Sequence, residues 1–247
     1  MAIAPAWRDG RLAAQGPVAL VGAGPAAAGE IDACLSRAVA VVAADGGAAA
    51  LMAAGRVPDA VMGDLDSLPP GHAIPPDRLL RLGGQDDTDF EKCMDRIEAP
   101  LVLGAGFLGG RIDHALAALG ALARRSPWGG PDRTGLPHVR SGLGVWPPCI
   151  LVGASDLAFA VPRLLQLDLP PGCRVSLFPM APVAARSAGL EWPLDGLALA
   201  PSGRVATSNR ATGPVTLETF GPGLLCLLPS RHLDDAAAAL APGAPPR

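Results

Sequence analysis

The sequence predicts an α/β domain with a parallel sheet, followed by an all-β domain. In the first half of the 247 residues, short apolar runs alternate with helical segments, a pattern typical of a parallel sheet covered by helices on both faces. In the second half, short apolar segments follow one another without helices, which indicates a sandwich or a barrel. Between them, 10 of the 23 residues at 126–148 are Gly or Pro, a density that no helix tolerates. We therefore predict domains at 1–125 and 149–247, joined by a linker or surface excursion at 126–148.

The elements of the first half are bounded by glycine and aspartate. Apolar runs predict strands at 17–22, 38–43, 59–63, 78–82 and 100–103. The segments between them predict helices at 26–37, 47–54, 89–98 and 111–125. In a parallel sheet, ligands bind beyond the carboxyl ends of the strands, so the residues that follow these strands are the first candidates for a site.

The elements of the second half are separated by turn signals such as Pro170-Pro171-Gly172 and Ser202-Gly203. They predict strands at 149–153, 157–161, 163–169, 173–178, 189–194, 197–200, 203–208, 214–219 and 223–228. An alanine-rich segment predicts a short closing helix at 231–241.

Composition excludes several classes of protein. Hydrophobic residues make up 49% and charged residues 17% of the chain, which excludes an intrinsically disordered protein. No apolar run approaches the ~18 residues of a membrane span, and residues 1–9 lack the pattern of a signal peptide. The net charge of −3 gives no broad basic surface for nucleic acid. The five cysteines are scattered without a CxxC pair, so we expect reduced thiols and a cytoplasmic location.

Two glycine loops resemble dinucleotide-binding fingerprints. Residues 22–27 read G-x-G-x-x-A after a strand, and Asp45 lies where a ribose-binding carboxylate would be expected. Residues 104–109 read G-x-G-x-x-G. For the first loop, a tight strand-to-helix turn is the preferred explanation over nucleotide contact. The second precedes charged residues, which favours an anion site at a helix N-terminus.

Carboxylates follow two of the predicted strands. Asp45 opens the segment Asp45-Gly46-Gly47, and Asp64 and Asp66 lie two residues apart in Gly-Asp-Leu-Asp-Ser. In an extended segment, residues i and i+2 point the same way, and two such carboxylates repel each other unless a cation lies between them. Oxygen ligands of this kind suit Mg²⁺ together with substrate phosphates. The alternative is a solvated acidic turn.

A third acidic stretch runs from Gln85 to Lys92. Thr88 and Glu91 form a capping box, so acidic residues here have a purely structural explanation. The cluster of Asp86, Asp87 and Asp89 exceeds what a cap needs. Lys92 is the single lysine of the chain; it could reach a phosphate or remain in solvent.

The fourth motif is Gly109-Gly110-Arg111-Ile112-Asp113-His114. Arg111 begins a predicted helix, where a cation is unfavourable against the helix dipole unless an anion is bound. Arginine binds phosphate bidentately. Asp113 could contact a ribose, a metal or Arg111, and a packed histidine is the preferred interpretation of His114. Together the four motifs favour phosphoryl or pyrophosphoryl transfer from a nucleotide.

At these residues the sequence resembles the thiamine pyrophosphokinase (thiamine diphosphokinase) family. The resemblance rests on an ordered set of motifs over roughly 20–228. They are ADGG at 44–47, PDxxxGDxDS at 58–67, QDxTDFxK at 85–92, GGRxDH at 109–114, SLFP at 176–179, GLxWPL at 189–194, and TSN at 207–209 followed by ATG at 211–213.

The resemblance implies a fold and a reaction. It implies a Rossmann-like ATP-binding domain, a C-terminal thiamine-binding β-sandwich and a homodimer with the active site at the subunit interface. The implied reaction joins ATP and thiamine to give AMP and thiamine diphosphate, with the thiamine hydroxyl attacking the β-phosphorus.

The resemblance also implies roles for individual residues. Asp64, Asp66 and Asp89 would hold Mg²⁺ and the phosphates and carry the catalysis. The implied ATP-binding residues are Asp45, Gly46, Thr88, Lys92, Arg111 and Asp113. The implied thiamine-binding residues are Gln85, Ser208 and Asn209, although an ordinary turn would by itself explain the last two.

The sequence departs from the family pattern in two places. The stretch at 126–148 is longer than the expected link, which leaves the domain packing there open. No aromatic residue follows the TSN motif until Phe220, so Trp192 or Phe220 is a candidate to stack on thiamine.

Three other functions stay open at this point. They are pyrophosphoryl transfer to another alcohol such as 6-hydroxymethyl-dihydropterin, a flavin or NAD oxidoreductase, and a non-catalytic nucleotide-binding protein. The second leaves the acidic motifs without a role, and the third gives no reason to keep unpaired carboxylates together.

Overall fold

The computed structural model describes residues 6–8, 10–68, 71–84, 86–125 and 146–241. Its helices are α1 (Ala28–Leu35), α2 (Gly47–Ala53), α3 (Asp89–Met94), α4 (Ile112–Arg125) and α5 (Leu233–Leu240), with short 3₁₀ turns at Pro76–Arg78 and Ser230–His232. The strands before the gap at 126–145 are β1 (Ala6–Arg8), β2 (Arg11–Ala13), β3 (Val18–Val21), β4 (Ala40–Ala44), β5 (Ala60–Gly63), β6 (Leu79–Arg81), β7 (Ile97–Glu98) and β8 (Val102–Ala105). Those after it are β9 (Cys149–Val152), β10 (Asp156–Ala160), β11 (Leu164–Leu167), β12 (Arg174–Pro179), β13 (Val183–Leu190), β14 (Ala198–Leu199), β15 (Ala206–Thr219) and β16 (Leu224–Pro229).

One large mixed sheet runs through the described chain. Strands β6, β5, β4, β3, β8 and β9 lie side by side and are parallel. The sheet continues through β10 and β16 to β12, β15, β13 and β14, with antiparallel pairing throughout. Strand β11 pairs with β15 off this path. The predicted parallel first half and antiparallel second half therefore meet within a single sheet.

Strands in the middle of the parallel part are buried on both faces. Every residue of β3, β4, β5 and β8 is buried, which is why these strands are continuous apolar runs rather than alternating ones. Within β3, Ala19 and Val21 pack into one apolar cluster, and Val18 and Leu20 pack into the other. The sheet therefore separates two cores, and the strand ends are left as the place for polar residues.

Helix α3 is shorter than predicted. The sequence indicated a helix over 89–98, but α3 ends at Met94, and Ile97–Glu98 forms strand β7. β7 pairs in parallel with β2, and β2 pairs with β1, so these three strands form a small second sheet that was not predicted. Strands of two or three residues have no periodicity of their own, and only their pairing defines them.

Three strands predicted in the second half differ from those in the structure. The strand expected at 189–194 is β13, which runs from Val183 to Leu190. The two strands expected at 203–208 and 214–219 are one 14-residue strand, β15. Pro214 lies within β15, opposite a register shift in β13 at Gly189, and an irregular ladder of this kind tolerates a residue without an N–H.

The predicted linker at 126–148 lies mostly outside the described residues, so its role stays a prediction. Its last residues are described: Trp146 is buried, and its Nε1 donates a hydrogen bond to Asp95 Oδ1 at 2.6 Å. This hydrogen bond anchors the end of the stretch beside helix α3. In the described part of the chain, no helix combines the length and apolar character needed to cross a bilayer.

Candidate functional site

The candidate site lies where the parallel strands end. Asp45 directly follows β4, and Asp64 and Asp66 follow β5, the neighbouring strand. The first glycine loop follows β3, and the second begins at the end of β8, which is the neighbour of β3. Parallel strands present their carboxyl ends at one edge of the sheet, and the four segments therefore meet at that edge.

Three carboxylates come together there. Asp45, Asp64 and Asp66 each offer an oxygen atom, and these atoms lie within 4.8 Å of one another. Asp45 is only 6% exposed, and its Oδ1 is buried without a hydrogen-bond partner. A buried carboxylate oxygen without a partner is costly, and like charges at this spacing repel. Both costs are relieved by a bound cation, and oxygen ligands fit Mg²⁺.

The local backbone is shaped to bring these carboxylates together. Asp45 and Leu65 both have left-handed backbone angles, with φ of 43° and 64°. Such conformations cost about 1–3 kcal/mol for residues other than glycine. Gly63 closes β5 beside Asp45, and a Cβ at this position would lie 2.8 Å from the Asp45 Cβ. The glycine in the Gly-Asp-Leu-Asp-Ser motif is therefore required for the approach of Asp45.

The glycine loops pack against each other. Gly24 N–H donates to the Gly106 carbonyl at 3.1 Å, and a Cβ on Gly24 would lie 2.5 Å from the same oxygen. A Cβ on Gly106 would lie 2.7 Å from the Gly22 carbonyl, and one on Gly109 would lie 2.3 Å from that of Pro25. Close packing of the two loops thus explains these glycines, and the fingerprint pattern needs no dinucleotide.

The predicted capping box at the start of α3 is present. Thr88 is the N-cap, and its Oγ1 accepts from the Glu91 N–H at 3.3 Å, while the Glu91 Oε2 accepts from the Thr88 N–H at 3.2 Å. In the first turn, Asp89 Oδ1 lies 3.3 Å from Lys92 Nζ. Asp89 is not a member of the three-carboxylate cluster. The Asp89–Lys92 ion pair is therefore distinct from the cluster of three carboxylates.

Arg111 and Asp113 are paired with each other. Arg111 Nε and Nη2 donate to Asp113 Oδ1 and Oδ2 at 3.1 and 2.5 Å, and both side chains are exposed. The hydrogen bond from Arg111 lowers the pKa of Asp113 to about 2 and raises the pKa of Arg111. The sequence left a ribose, a metal or Arg111 open as the partner of Asp113, and the structure shows the contact with Arg111. The prediction that His114 packs in the interior is wrong, because this residue is exposed.

Asn209 is buried in the antiparallel part of the sheet. It is 3% exposed, and its side-chain amide hydrogen-bonds to both the backbone N–H and the backbone carbonyl of Trp192. The Oδ1 accepts from Trp192 N–H at 3.2 Å and from Arg210 N–H at 2.8 Å, and Nδ2 donates to the Trp192 carbonyl at 2.7 Å. Trp192 itself is 53% exposed. Asn209 therefore holds the turn that presents an exposed indole ring.

Ser208 adjoins Asn209 and has an exposed side chain. Its φ is 60°, and its N–H donates to Ser176 Oγ at 2.9 Å. Phe220, the other candidate aromatic, is 52% exposed, and the Arg186 guanidinium lies 5.5 Å from its ring centroid. Gln85, the remaining candidate for thiamine contact, lies outside the described residues.

Sequence reasoning missed one set of contacts around α3. Glu91 pairs with Arg124 near the end of α4, with Oε1 2.8 Å from Nη2. Phe90 packs against Phe107 of the second glycine loop and against Trp146. The capping box had pointed to Glu91, but nothing in the sequence indicated Arg124 as its partner.

Comparison with known proteins agrees with the motifs. Residues 31–127 match the family model described as thiamin pyrophosphokinase, catalytic domain. Comparison with curated protein sequences gives no match.

Several solved structures share the fold. A thiamin pyrophosphokinase from Candida albicans superposes with a TM-score of 0.65 at 15% identity, covering 87% of this chain and 89% of that one. One from Geobacillus thermodenitrificans gives 0.64 at 21% identity, with coverage of 87% and 97%. The yeast enzyme gives 0.64 at 16% identity, with coverage of 90% and 88%. The resemblance inferred from the motifs is confirmed: residues 31–127 match the catalytic domain of thiamin pyrophosphokinases, and the chain has the thiamin pyrophosphokinase fold.

Proposed function

We propose that this protein is a thiamine diphosphokinase, which transfers the pyrophosphoryl group of ATP to the hydroxyl of thiamine and releases AMP. The observation that carries the proposal is the convergence of Asp45, Asp64 and Asp66 at adjacent strand ends, with a buried Asp45 oxygen that lacks a partner. The family match over 31–127 includes all three residues.

The carboxylate cluster fits a magnesium ion. Asp45, Asp64 and Asp66 would hold it, because they offer oxygen ligands whose mutual repulsion a divalent cation relieves. Magnesium bound there would neutralise the charge of the ATP phosphates during transfer. Asp89 is proposed to act beside this cluster, where one of the carboxylates orients the thiamine hydroxyl.

The remaining polar residues at this edge are proposed to bind ATP. Gly46 and Asp45 lie at the end of β4, and Thr88 and Lys92 lie at the start of α3. Arg111 is exposed and carries a fork of donors suited to a phosphate, and Asp113 holds it in place through two hydrogen bonds. These groups position the phosphates and balance their charge.

Transfer then proceeds by direct displacement. The thiamine hydroxyl oxygen forms a bond to the β-phosphorus of ATP, the bond from that phosphorus to the α–β bridging oxygen breaks, and AMP leaves with that oxygen. The hydroxyl proton passes to a carboxylate or to water. No covalent enzyme intermediate is required.

The antiparallel part of the sheet is proposed to bind thiamine. Ser208 and Asn209 shape this pocket, Gln85 contacts the aminopyrimidine, and Trp192 or Phe220 supplies an aromatic face. Trp192 is supported by the double hydrogen bond that fixes its backbone to Asn209. We further propose a Rossmann-like unit at 1–125, a β-sandwich unit at 149–247, a homodimer with a shared active site and a cytoplasmic location.

The test is incubation of the purified protein with ATP, Mg²⁺ and thiamine, followed by chromatography of the nucleotides and thiamine species. AMP appearing in step with thiamine diphosphate supports the proposal. ADP with thiamine monophosphate would contradict attack at the β-phosphorus. If no thiamine product forms, the proposed substrate is wrong, and 6-hydroxymethyl-dihydropterin is the next alcohol to test.

A further inference from the structure

Glu91 is a buried carboxylate for which the proposed reaction has no use. The residue is 8% exposed. Its Oε2 accepts from the Thr88 N–H at 3.2 Å and from the Thr88 Oγ1 at 3.1 Å, and its Oε1 accepts from Arg124 Nη2 at 2.8 Å. A buried charge needs such partners, and here the partners come from two different helices.

A helix cap alone does not explain this arrangement. A capping glutamate needs only the N-cap residue, and glutamine serves equally well at this position. Arg124 adds a contact to α4, the 14-residue helix that begins just after Arg111. Glu91 thus links the start of α3 to a helix that carries other proposed ATP-binding residues at its opposite end.

Helix α3 depends on such links for its orientation. It has only six residues, and a helix this short has little stability of its own. At its far end, Asp95 accepts from Trp146 Nε1 at 2.6 Å and pairs with Arg125 at 3.3 Å. Two ion pairs with consecutive arginines of α4 therefore hold the two ends of α3.

We propose that Glu91 is a positioning residue for the pyrophosphoryl transfer. Through Arg124 it sets the direction of the first turn of α3, and with it Thr88, Asp89 and Lys92, relative to Arg111 at the start of α4. This inference rests on the proposed function. Asp95, at the other end of the same helix, holds α3 in the fold but lies away from that turn.

The two ends of α3 provide a matched pair of variants. Glu91→Gln retains the capping box and the side-chain volume but removes the charge that pairs with Arg124. Asp95→Asn makes the same chemical change, retains an acceptor for Trp146 and weakens the pair with Arg125. We expect similar losses of melting temperature in both. We expect kcat to fall about tenfold or more in Glu91→Gln alone, because small displacements of positioned groups cost large factors in rate.

Two further variants test the route through Arg124. Arg124→Leu should lower kcat as much as Glu91→Gln, and the double variant should be no slower than either single variant, because both remove one interaction. Arg124→Lys retains the charge and should recover most of kcat. Equal kcat in Glu91→Gln and Asp95→Asn, or additive losses in the double variant, would overturn the proposal.

A second measurement separates this proposal from the proposed function. If the wild-type protein forms no thiamine diphosphate, the proposed function fails, and the same variants are compared by calorimetric titration with MgATP. Weaker binding in Glu91→Gln than in Asp95→Asn then supports positioning of the nucleotide-facing turn by Glu91. Equal affinities, or no MgATP binding by the wild type, would overturn it.

Discussion

The parallel and antiparallel parts of the sheet differ in whether the buried polar side chains Asp45, Asn209 and Thr219 have all their hydrogen-bond partners. In the parallel part, Asp45 is buried with an oxygen that has no partner. In the antiparallel part, Asn209 and Thr219 are more deeply buried than Asp45, and both are hydrogen-bonded. His232, at the start of the C-terminal helix, is the other described residue with an unpartnered buried side-chain atom, and its second ring nitrogen is bonded to Asp235.

The difference indicates that the two parts of the sheet have different roles, one in binding a ligand and the other in supporting an exposed aromatic ring. Buried polar groups normally find partners, and an exception needs a specific explanation. In the parallel part, the exception coincides with two further carboxylates and with strained backbone, as expected for a site whose missing partner is a ligand. In the antiparallel part, the satisfied amide of Asn209 serves as scaffolding for an exposed aromatic ring.

The largest expected effect is on turnover after loss of one carboxylate. Asp66→Asn should leave the fold intact and reduce kcat roughly 100- to 1,000-fold, the usual cost of removing a group that stabilises transition-state charge. Asp77→Asn, the same change at an exposed acid outside the site, is the control and should have wild-type turnover. Wild-type turnover in Asp66→Asn would refute the proposed role of the cluster.

The second effect compares two glycines with positive φ. Gly63→Ala should lower the free energy of unfolding by about 2–3 kcal/mol, because the new Cβ meets Asp45 and φ is 153°. Gly172→Ala, in an open turn before β12 with φ of 82°, should cost only about 1 kcal/mol. Urea unfolding of both variants measures the difference. Equal losses would show that Gly63 is not needed for the approach of Asp45.

The third effect concerns the antiparallel part. Asn209→Ala leaves the Trp192 backbone without its side-chain partners and should cost about 1–3 kcal/mol of stability. Because Trp192 then moves, KM for thiamine should rise more than kcat falls. Thr219→Val removes a buried hydrogen bond to the Pro162 carbonyl and should lower stability without changing KM. A parallel change of KM in both variants would argue against a role for Trp192.

The fourth effect is the response of the melting temperature to magnesium. A ligand at a hundredfold excess over its Kd stabilises a protein by about 2.7 kcal/mol, so we expect Mg²⁺ to raise the melting temperature of the wild type. Asp45→Asn should lose this response, and Asp77→Asn should keep it. Differential scanning fluorimetry with and without EDTA measures both. A full response in Asp45→Asn would exclude this residue as a ligand.

The smallest effect is a pH dependence at the exposed Arg111–Asp113 pair. The pKa of Asp113 is lowered from 3.8 to about 2 by its hydrogen bond to Arg111. The stabilisation from the pair is therefore fully present above pH 3.8 and is lost as the pH falls through about 2. Carboxyl ¹³C NMR should show this low pKa in the wild type and an ordinary value in Arg111→Gln. An unchanged pKa in the variant would contradict the assigned cause.

Much of the first half was predictable because its signals are local. Continuous apolar runs identify β3, β4, β5 and β8, because a strand that is buried on both faces needs apolar residues at every position. The capping box at Thr88 and Glu91 is likewise a property of four adjacent residues. The sequence also predicted that Asp64 and Asp66 lie together, but from an extended segment; the left-handed φ of 64° at Leu65 shows that a turn after β5 brings them together.

Other elements could not be predicted because distant residues define them. Strand β7 exists through its pairing with β2, and β15 continues past Pro214 because β13 shifts its register there. Neither condition is visible within the segment itself. The helix predicted over 89–98 was too long for this reason.

By itself, the sequence determined the buried parallel strands, the motifs at their ends and the resemblance to thiamin pyrophosphokinases. Tertiary structure alone decided that Asp45 joins Asp64 and Asp66, that Glu91 is bound by Arg124, and that Asn209 holds Trp192. The physical reason is that spacing along a strand or a helix turn constrains neighbours in the chain. Contacts between residues many positions apart depend on how the sheet and helices pack.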